Sequence, residues 1–323
     1  MKTFLKIVLA VLIALLVLYV YRFPVLATLG NLVGPPGLTD AKEEPGAIWF
    51  DDYYTVFNID ERTWAIGETR YWQKNFNYLI VGENRAILYD AGPGVRDIRP
   101  VVKSLTDLPV TFVPSHFHYD HVGNGITFDN IAIIDLPYFR NRAPNDLLSV
   151  EFEEHLGRTE RFEAPTFKVT DWWKHATEVD LGGRILRVLY TPGHTTDGIS
   201  LIDEEAQLAF TGDFFTPGAL AEFTPNGGMG DYLFGIEGVL EYASEETRFF
   251  GAHRNLMKDE ADHIGIPHTT LKDVRDTREA LVDIRDGKKG GSGWIVVIYT
   301  INDLMQLWTD PVMTYEWEVH HHP

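Results

Sequence analysis

The sequence predicts an α/β fold in which short buried strands deliver histidines and aspartates to their ends. Apolar runs rich in β-branched residues (Ala86 to Tyr89, Val110 to Val113) flank Asp97 to Leu108, where Ile98, Val101, Val102 and Leu105 fall at helical spacing. Strand, helix and strand in that order form the unit expected in an α/β sheet. Later apolar runs, Ile185 to Tyr190, Leu208 to Phe210 and Phe249-Phe250, each stop shortly before a metal-ligand type: His194, Asp213 and His253. A rigid sheet aims side chains well from such positions.

Taken in order, residues 1–24 carry Lys2 and Lys6, then an apolar run from Ile7 to Tyr21 closed by Arg22 and Pro24. This pattern reads as an uncleaved signal anchor, with a cleaved signal peptide as the alternative. The preceding lysines would put the catalytic part outside the cytoplasm, membrane-anchored or exported after cleavage. Residues 25–46, with Gly34-Pro35-Pro36-Gly37, read as a linker to a domain at 47–310. Strand-like runs follow at Tyr53 to Ile59, Phe76 to Val81 and Ala86 to Tyr89, the last two joined by a hairpin turn at Gly82 to Arg85.

The stretch Ser115-His116-Phe117-His118-Tyr119-Asp120-His121 comes directly after the Val110 to Val113 run. Imidazole and carboxylate are the ligands of borderline-hard divalent metals. On an extended segment His116 and His118 project to the same side, since side chains repeat with period two. Asp120 and His121 are adjacent and leave the chain in different directions, so one loop can serve two ions. Surface histidines on a polar loop would not need His194, Asp213 and His253 downstream.

The region from His121 to His194 is less readable. His155 and His175 lack metal spacing and are expected to be structural, as are His263 and His268; Trp172 and Trp173 are expected to pack rather than wall a substrate pocket. Thr224 to Tyr232 is a glycine-rich loop, either a plain connection or a cover over the metals with Tyr232 hydrogen-bonding an oxyanion or leaving group. It lacks the Gly-Lys-Ser/Thr ending of a phosphate-cradling loop. Thr270 caps a helix with Leu271, Val274, Leu281 and Ile284 on one face, stopped by Gly287. Trp294 to Ile301 is strand-like, and a tail at 311–323 ends in His320-His321-His322, to which no function is assigned.

Composition narrows the function. The formal charge is −19 over 323 residues, which argues against a nucleic-acid surface and leaves a small-molecule substrate. Cysteine is absent, so neither disulfides nor thiolate metal sites occur. The charge and composition leave oligomeric state open.

From about Asp52 to Asp286 this ordered set of motifs resembles the metallo-β-lactamase-fold hydrolases, in the glyoxalase II and lactonase-like branch. The resemblance implies an αββα sandwich, two β-sheets with helices on the outer faces. It also implies that His116, His118 and His194 hold one metal, Asp120, His121 and His253 a second, and that Asp213 bridges both. Asp90 would support the ligand loop without binding metal. Asp120 and Asp213 are the expected catalytic residues, with two divalent ions, zinc first and iron or manganese otherwise. The expected activity is hydrolysis of an ester, lactone or thioester by a metal-bridging hydroxide. Asp at position 213 argues against β-lactamase activity, and His118, where the diiron members carry Glu, against that role. The alternatives are a phosphodiesterase or other phosphoester hydrolase, and a sulfur dioxygenase with one iron.

Overall fold

The computed structural model describes residues 2–22, 36–40, 46–222, 227–254, 265–310 and 317. The first apolar run forms helix α1 (Lys2–Val20). Among the described residues no helix is long and apolar enough to cross a membrane. Lys2 and Lys6 interrupt its first turns, so its uninterrupted apolar part, Ile7 to Val20, rises only about 21 Å. A hydrocarbon core is about 30 Å thick. The expected signal anchor and transmembrane helix are therefore corrected, and the membrane-anchored location expected from them is not supported. The C-terminal end of α1 is tied to the body instead. Tyr19 OH donates to the Trp294 carbonyl at 2.6 Å, Arg22 Nε donates to the Ile295 carbonyl at 2.9 Å, and the Arg22 guanidinium pairs with Asp310.

The first sheet opens with β1 (Ala47–Trp49), β2 (Thr55–Asp60), β3 (Thr63–Glu68), β4 (Asn75–Val81) and β5 (Ala86–Tyr89), an antiparallel series. Helix α2 (Arg99–Leu105) then crosses to β6 (Val110–Val113), which lies parallel to β5. This is the strand–helix–strand unit the spacing predicts, and Val101 and Val102 are the residues it buries. After the short α3 (Tyr119–Val122) come β7 (Asn130–Ile134) and α4 (Pro137–Asn141). A hairpin of β8 (Leu147–Ser149) and β9 (Thr166–Lys168) encloses α5 (Phe152–His155), and β10 (Asp171–Trp173) returns parallel to β7 at the sheet edge.

The second sheet is β11 (Glu178–Asp180), β12 (Ile185–Tyr190), β13 (Ile199–Asp203), β14 (Leu208–Gly212), β16 (Arg248–Gly251) and β17 (His268–Thr270). Alternate residues of its strands face opposite ways. Phe210 and Phe250 share a core with Tyr78 and Tyr89 of the first sheet. Ala209 and Phe249 instead face a second core with α6 (Met229–Tyr242) and α7 (Leu271–Arg285). This is the expected α/β sandwich. Thr270 caps α7 as the sequence implies, through a reciprocal pair with Asp273.

A small third sheet of β15 (Gly218–Ala221), β18 (Val297–Thr300) and β19 (Met305–Thr309) was legible only at β18. Much of the linker, His263 and the terminal histidines lie outside the described residues. So do positions 224–226 of the glycine-rich loop, whose later part, from Met229, is the first turn of α6.

Candidate metal centre

The local fold explains how one loop serves two groups of ligands. His118 is extended (φ −58°, ψ 147°), which keeps His116 and His118 on one side, and α3 then begins and rotates Asp120 and His121 away. His118 Nδ1 lies 2.8 Å from His116 Nε2 and 3.2 Å from His194 Nε2, the latter delivered by the loop after β12. Three imidazole nitrogens bound to one tetrahedral zinc would stand about 3.3 Å apart, given bonds of about 2.0–2.1 Å. His116, His118, His194 and Asp213 form one candidate ligand group, and Asp120, His121 and His253 a second.

Asp213, in the turn after β14, touches both. Its Oδ2 is 3.6 Å from His194 Nε2 and 3.6 Å from His121 Nε2, and its Oδ1 is 3.2 Å from His253 Nε2. Asp120 Oδ2 lies 3.5 Å from His121 Nε2 and 3.3 Å from His253 Nε2. His121 Nε2, His253 Nε2 and Asp213 Oδ1 are buried without a hydrogen-bond partner among the described residues. Leaving such atoms unsatisfied is costly, and a cation is what this donor set would accept. The residues therefore fit a pair of divalent ions.

The outward faces of three of the rings are anchored. His194 Nδ1 donates to the Ala221 carbonyl (2.6 Å) and His253 Nδ1 to the Gln73 carbonyl (3.0 Å). His121 Nδ1 donates to Asp90 Oδ2 (2.9 Å), and Asp90 Oδ1 accepts the Ser115 backbone N–H (2.6 Å). A ring protonated at Nδ1 turns the lone pair of Nε2 inward, the form a metal takes. Asp90 thus lies behind the ligand loop, held by a left-handed backbone at φ +65°.

Burial and the neighbouring imidazoles hold His116 and His118 well below the ordinary histidine range, hence neutral. His121 and His253 go the other way. Burial opposes their charge but is outweighed by carboxylates, Asp120, Asp90 and Asp213 around His121, and Asp213 with Asp120 around His253, which is pushed up to about 10. For Asp213 burial favours the neutral acid, but His253 and His121 prevail and hold it well below the carboxylate range. The second half of the site is thus built around positive charge.

Tyr232 does not occupy its expected place. Its side chain is fully buried, its ring stacks on Phe214 at 4.8 Å between centroids, and its hydroxyl donates to the Phe214 carbonyl. It is a core residue of α6 with its one proton committed, so the substrate contact is corrected. His155 is buried beside Tyr119, and His175 Nδ1 accepts the Tyr190 N–H at 3.0 Å. Trp173 packs at the sheet edge, while Trp172 lies under the Arg140 guanidinium.

The sequence reading missed a polar layer beneath the ligands. Asn75 Nδ2 donates to the Asp120 carbonyl at 2.7 Å, and Gln73 Nε2 to Asp120 Oδ2 at 3.0 Å. Buried Glu68 accepts from Tyr53 OH (2.6 Å) and Asn77 Nδ2 (2.9 Å). The available signal was Asn75 and Asn77 alternating in an otherwise apolar strand, since asparagine facing a core requires a partner. A side chain at Gly92 (φ +61°) would place its Cβ 1.7 Å from Glu68 Oε1, so only glycine lets the loop after Asp90 pass this carboxyl.

Burial raises the Glu68 carboxyl from 4.5 to about 7. The folded state then binds its proton more tightly than the unfolded chain. Its contribution to stability is complete below about pH 4.5 and is lost as pH rises through about 7. Glu68→Gln should flatten the decline in urea-unfolding stability between about pH 5 and 8. An unchanged slope would show that Glu68 does not titrate there. Asp197, also raised to about 7 by burial, contributes to the remaining slope, as do His121 and His253, whose raised pKa values act from about pH 6.5 upward.

Comparisons with known proteins agree with this geometry. Over 242 residues the chain is 24% identical to the acyl-coenzyme A thioesterase MBLAC2 of Gallus gallus, covering 66% of this chain and 86% of that protein. It is 28% identical over 154 residues to the hydroxyacylglutathione hydrolase GloC of Haemophilus influenzae, covering 46% of this chain and 70% of that one. A metallo-beta-lactamase from Pontibacter korlensis superposes with a TM-score of 0.51 at 15% identity, over 71% of this chain and 99% of that one, a likeness of fold alone. The family model described as Metallo-beta-lactamase superfamily matches residues 71–268, more than half of the chain and all seven clustered side chains. The chain therefore belongs to the metallo-beta-lactamase superfamily and is a metallohydrolase.

Proposed function

We infer that this protein is a dinuclear metal-dependent hydrolase of acyl compounds: thioesters, esters or lactones. The observation that carries the reading is Asp213, one carboxylate within 3.6 Å of histidines from both ligand groups. His116, His118 and His194 would hold one ion, Asp120, His121 and His253 the other, and Asp213 both, with zinc, iron or manganese all compatible with nitrogen and oxygen donors. Divalent ions held by these residues would supply a bound water of pKa lowered to about 7 and polarisation of an acyl carbonyl.

The chain supplies positions and electrostatics. Ala221, Gln73 and Asp90 fix the ring orientations, so that His194, His253 and His121 present their Nε2 atoms without rearrangement. Asp120, 3% exposed, and Asp213, 16% exposed, place two negative charges where solvent screening is reduced. Thioesters stand first because the similar chicken and Haemophilus proteins are named as an acyl-coenzyme A thioesterase and a hydroxyacylglutathione hydrolase.

The test is a paired assay of metal-replete protein on an acyl-coenzyme A, a chromogenic lactone and bis-(p-nitrophenyl) phosphate, with elemental analysis of the same sample. Turnover of the thioester or lactone is expected to exceed that of the phosphodiester, to vanish with a chelator and to return with added zinc. Preference for the phosphodiester would assign the chain to phosphoester hydrolysis instead. Fewer than two ions per chain in fully active protein would refute the dinuclear reading.

A further inference from the structure

We propose that Gln73 is the positioning residue of the half-site formed by Asp120, His121 and His253, and sets the affinity of the second ion without affecting the first. The inference rests on the two-ion reading above. Gln73 lies in the turn between β3 and β4 and meets two of the three ligands by different routes. Its side-chain Nε2 donates to Asp120 Oδ2 at 3.0 Å, and its backbone carbonyl accepts from His253 Nδ1 at 3.0 Å. The third ligand, His121, is held separately by Asp90. Among the described residues Gln73 makes no hydrogen bond to His116, His118 or His194.

The amide has one workable orientation. Ionised Asp120 only accepts, so the NH₂ must face it, leaving Oε1 2.8 Å from Tyr119 OH, whose single proton it shares with Glu160. Tyr119 and Asp120 are neighbours on α3, so the Gln73 side chain is clamped between consecutive residues of the ligand helix.

The turn around Gln73 is immobilised independently of any metal. Glu160, buried at 7% exposure, accepts from Tyr71 OH and from Trp72 Nε1 (2.7 Å), and shares the Tyr119 hydroxyl proton (2.7 Å) with Gln73 Oε1. Lys74, in the left-handed conformation at φ 54°, sends its Nζ to the Thr69 carbonyl and to Thr39 Oγ1, both at 2.8 Å. Beyond it, the Phe76 N–H donates to the Ala252 carbonyl at 2.8 Å, fastening the start of β4 to the segment that carries His253. Gln73 therefore presents its two groups from a fixed turn, the arrangement that lets an outer contact orient a ligand.

Gln73→Met separates this role from ordinary packing, because it keeps the length and volume of the side chain and the backbone carbonyl while removing the amide donor. Metal-free full-length protein is titrated with zinc against a competing chelator and, in parallel, with cobalt(II) followed by visible absorption. Wild type is expected to take up two ions in separable steps. Gln73→Met should bind the second ion about ten- to hundredfold more weakly and leave the first step unchanged. Tyr119→Phe, which removes the hydroxyl shared by Gln73 Oε1 and Glu160 but leaves the amide donor, should shift the second step in the same direction but less, with its metal-free melting temperature as the control for folding.

Binding of both ions by Gln73→Met as in wild type, or an equal weakening of both, would overturn the proposal. So would a loss of the second ion in Tyr119→Phe that Gln73→Met does not share. Uptake of fewer than two ions by wild type would refute the two-ion reading itself, a result distinct from failure of the Gln73 proposal.

Discussion

Asp213→Ala is expected to lower kcat/KM for an acyl substrate by about 10³-fold or more and to reduce bound metal from two ions per chain to about one. Asp213 is the residue whose carboxylate reaches both ligand groups, at 3.2 Å from His253 and 3.6 Å from His121 and His194. Each group alone keeps three ligands, so single-ion binding at one of them should survive. Elemental analysis beside steady-state kinetics checks both parts. A variant that retains two ions and full turnover would show that no shared carboxylate is needed.

The largest effect on stability is expected far from the metals. Arg184 is buried at 6% exposure, pairs through Nε with Asp203 at 2.6 Å, and donates to the Arg62 carbonyl at 3.0 Å and to Thr63 Oγ1 at 2.9 Å. Arg62 and Thr63 belong to the first sheet, while Arg184 and Asp203 flank strands of the second. Removing one partner of a buried pair leaves an uncompensated charge, so Arg184→Met should cost about 3–5 kcal/mol in urea unfolding of metal-free protein. The double replacement Arg184→Met with Asp203→Leu should recover much of that loss, because neither charge then remains buried. A loss for the single variant no greater than that of an exposed pair would indicate that water reaches Asp203.

The candidate ligand residues were legible because metal chemistry demands particular side chains. His116, His118, Asp120 and His121 crowd one loop, and His194, Asp213 and His253 each follow an apolar run, so type and position agreed before any contact was known. What holds those ligands was not legible in the same way. Gln73, Glu68 and Glu160 come from segments remote in sequence, and glutamine or glutamate in a turn reads as solvated until the fold buries it.

Tyr232 illustrates the opposite error. A glycine-rich stretch beside two ligands suggested a cover over the site, but from Met229 the chain turns helical and packs Tyr232 against Gly193, whose missing side chain makes the room. At the N-terminus, apolar composition pointed to a span, but the charges in the first turns leave too short a stretch for one.

The same two strands carry the Arg184 pin at one extremity and the ligands at the other. β4 begins at Asn75 beside Asp120 and ends at Val81 near Arg184; β12 begins just after Arg184 and ends just before His194. Across the seven residues of β4 the two ends are separated by about 20 Å. The sandwich is thus hinged like a book, with a spine of polypeptide and side chains and a clasp formed by the ligand cluster. Removing ions held there is expected to loosen the fore-edge while the binding holds, so metal loss should precede loss of fold.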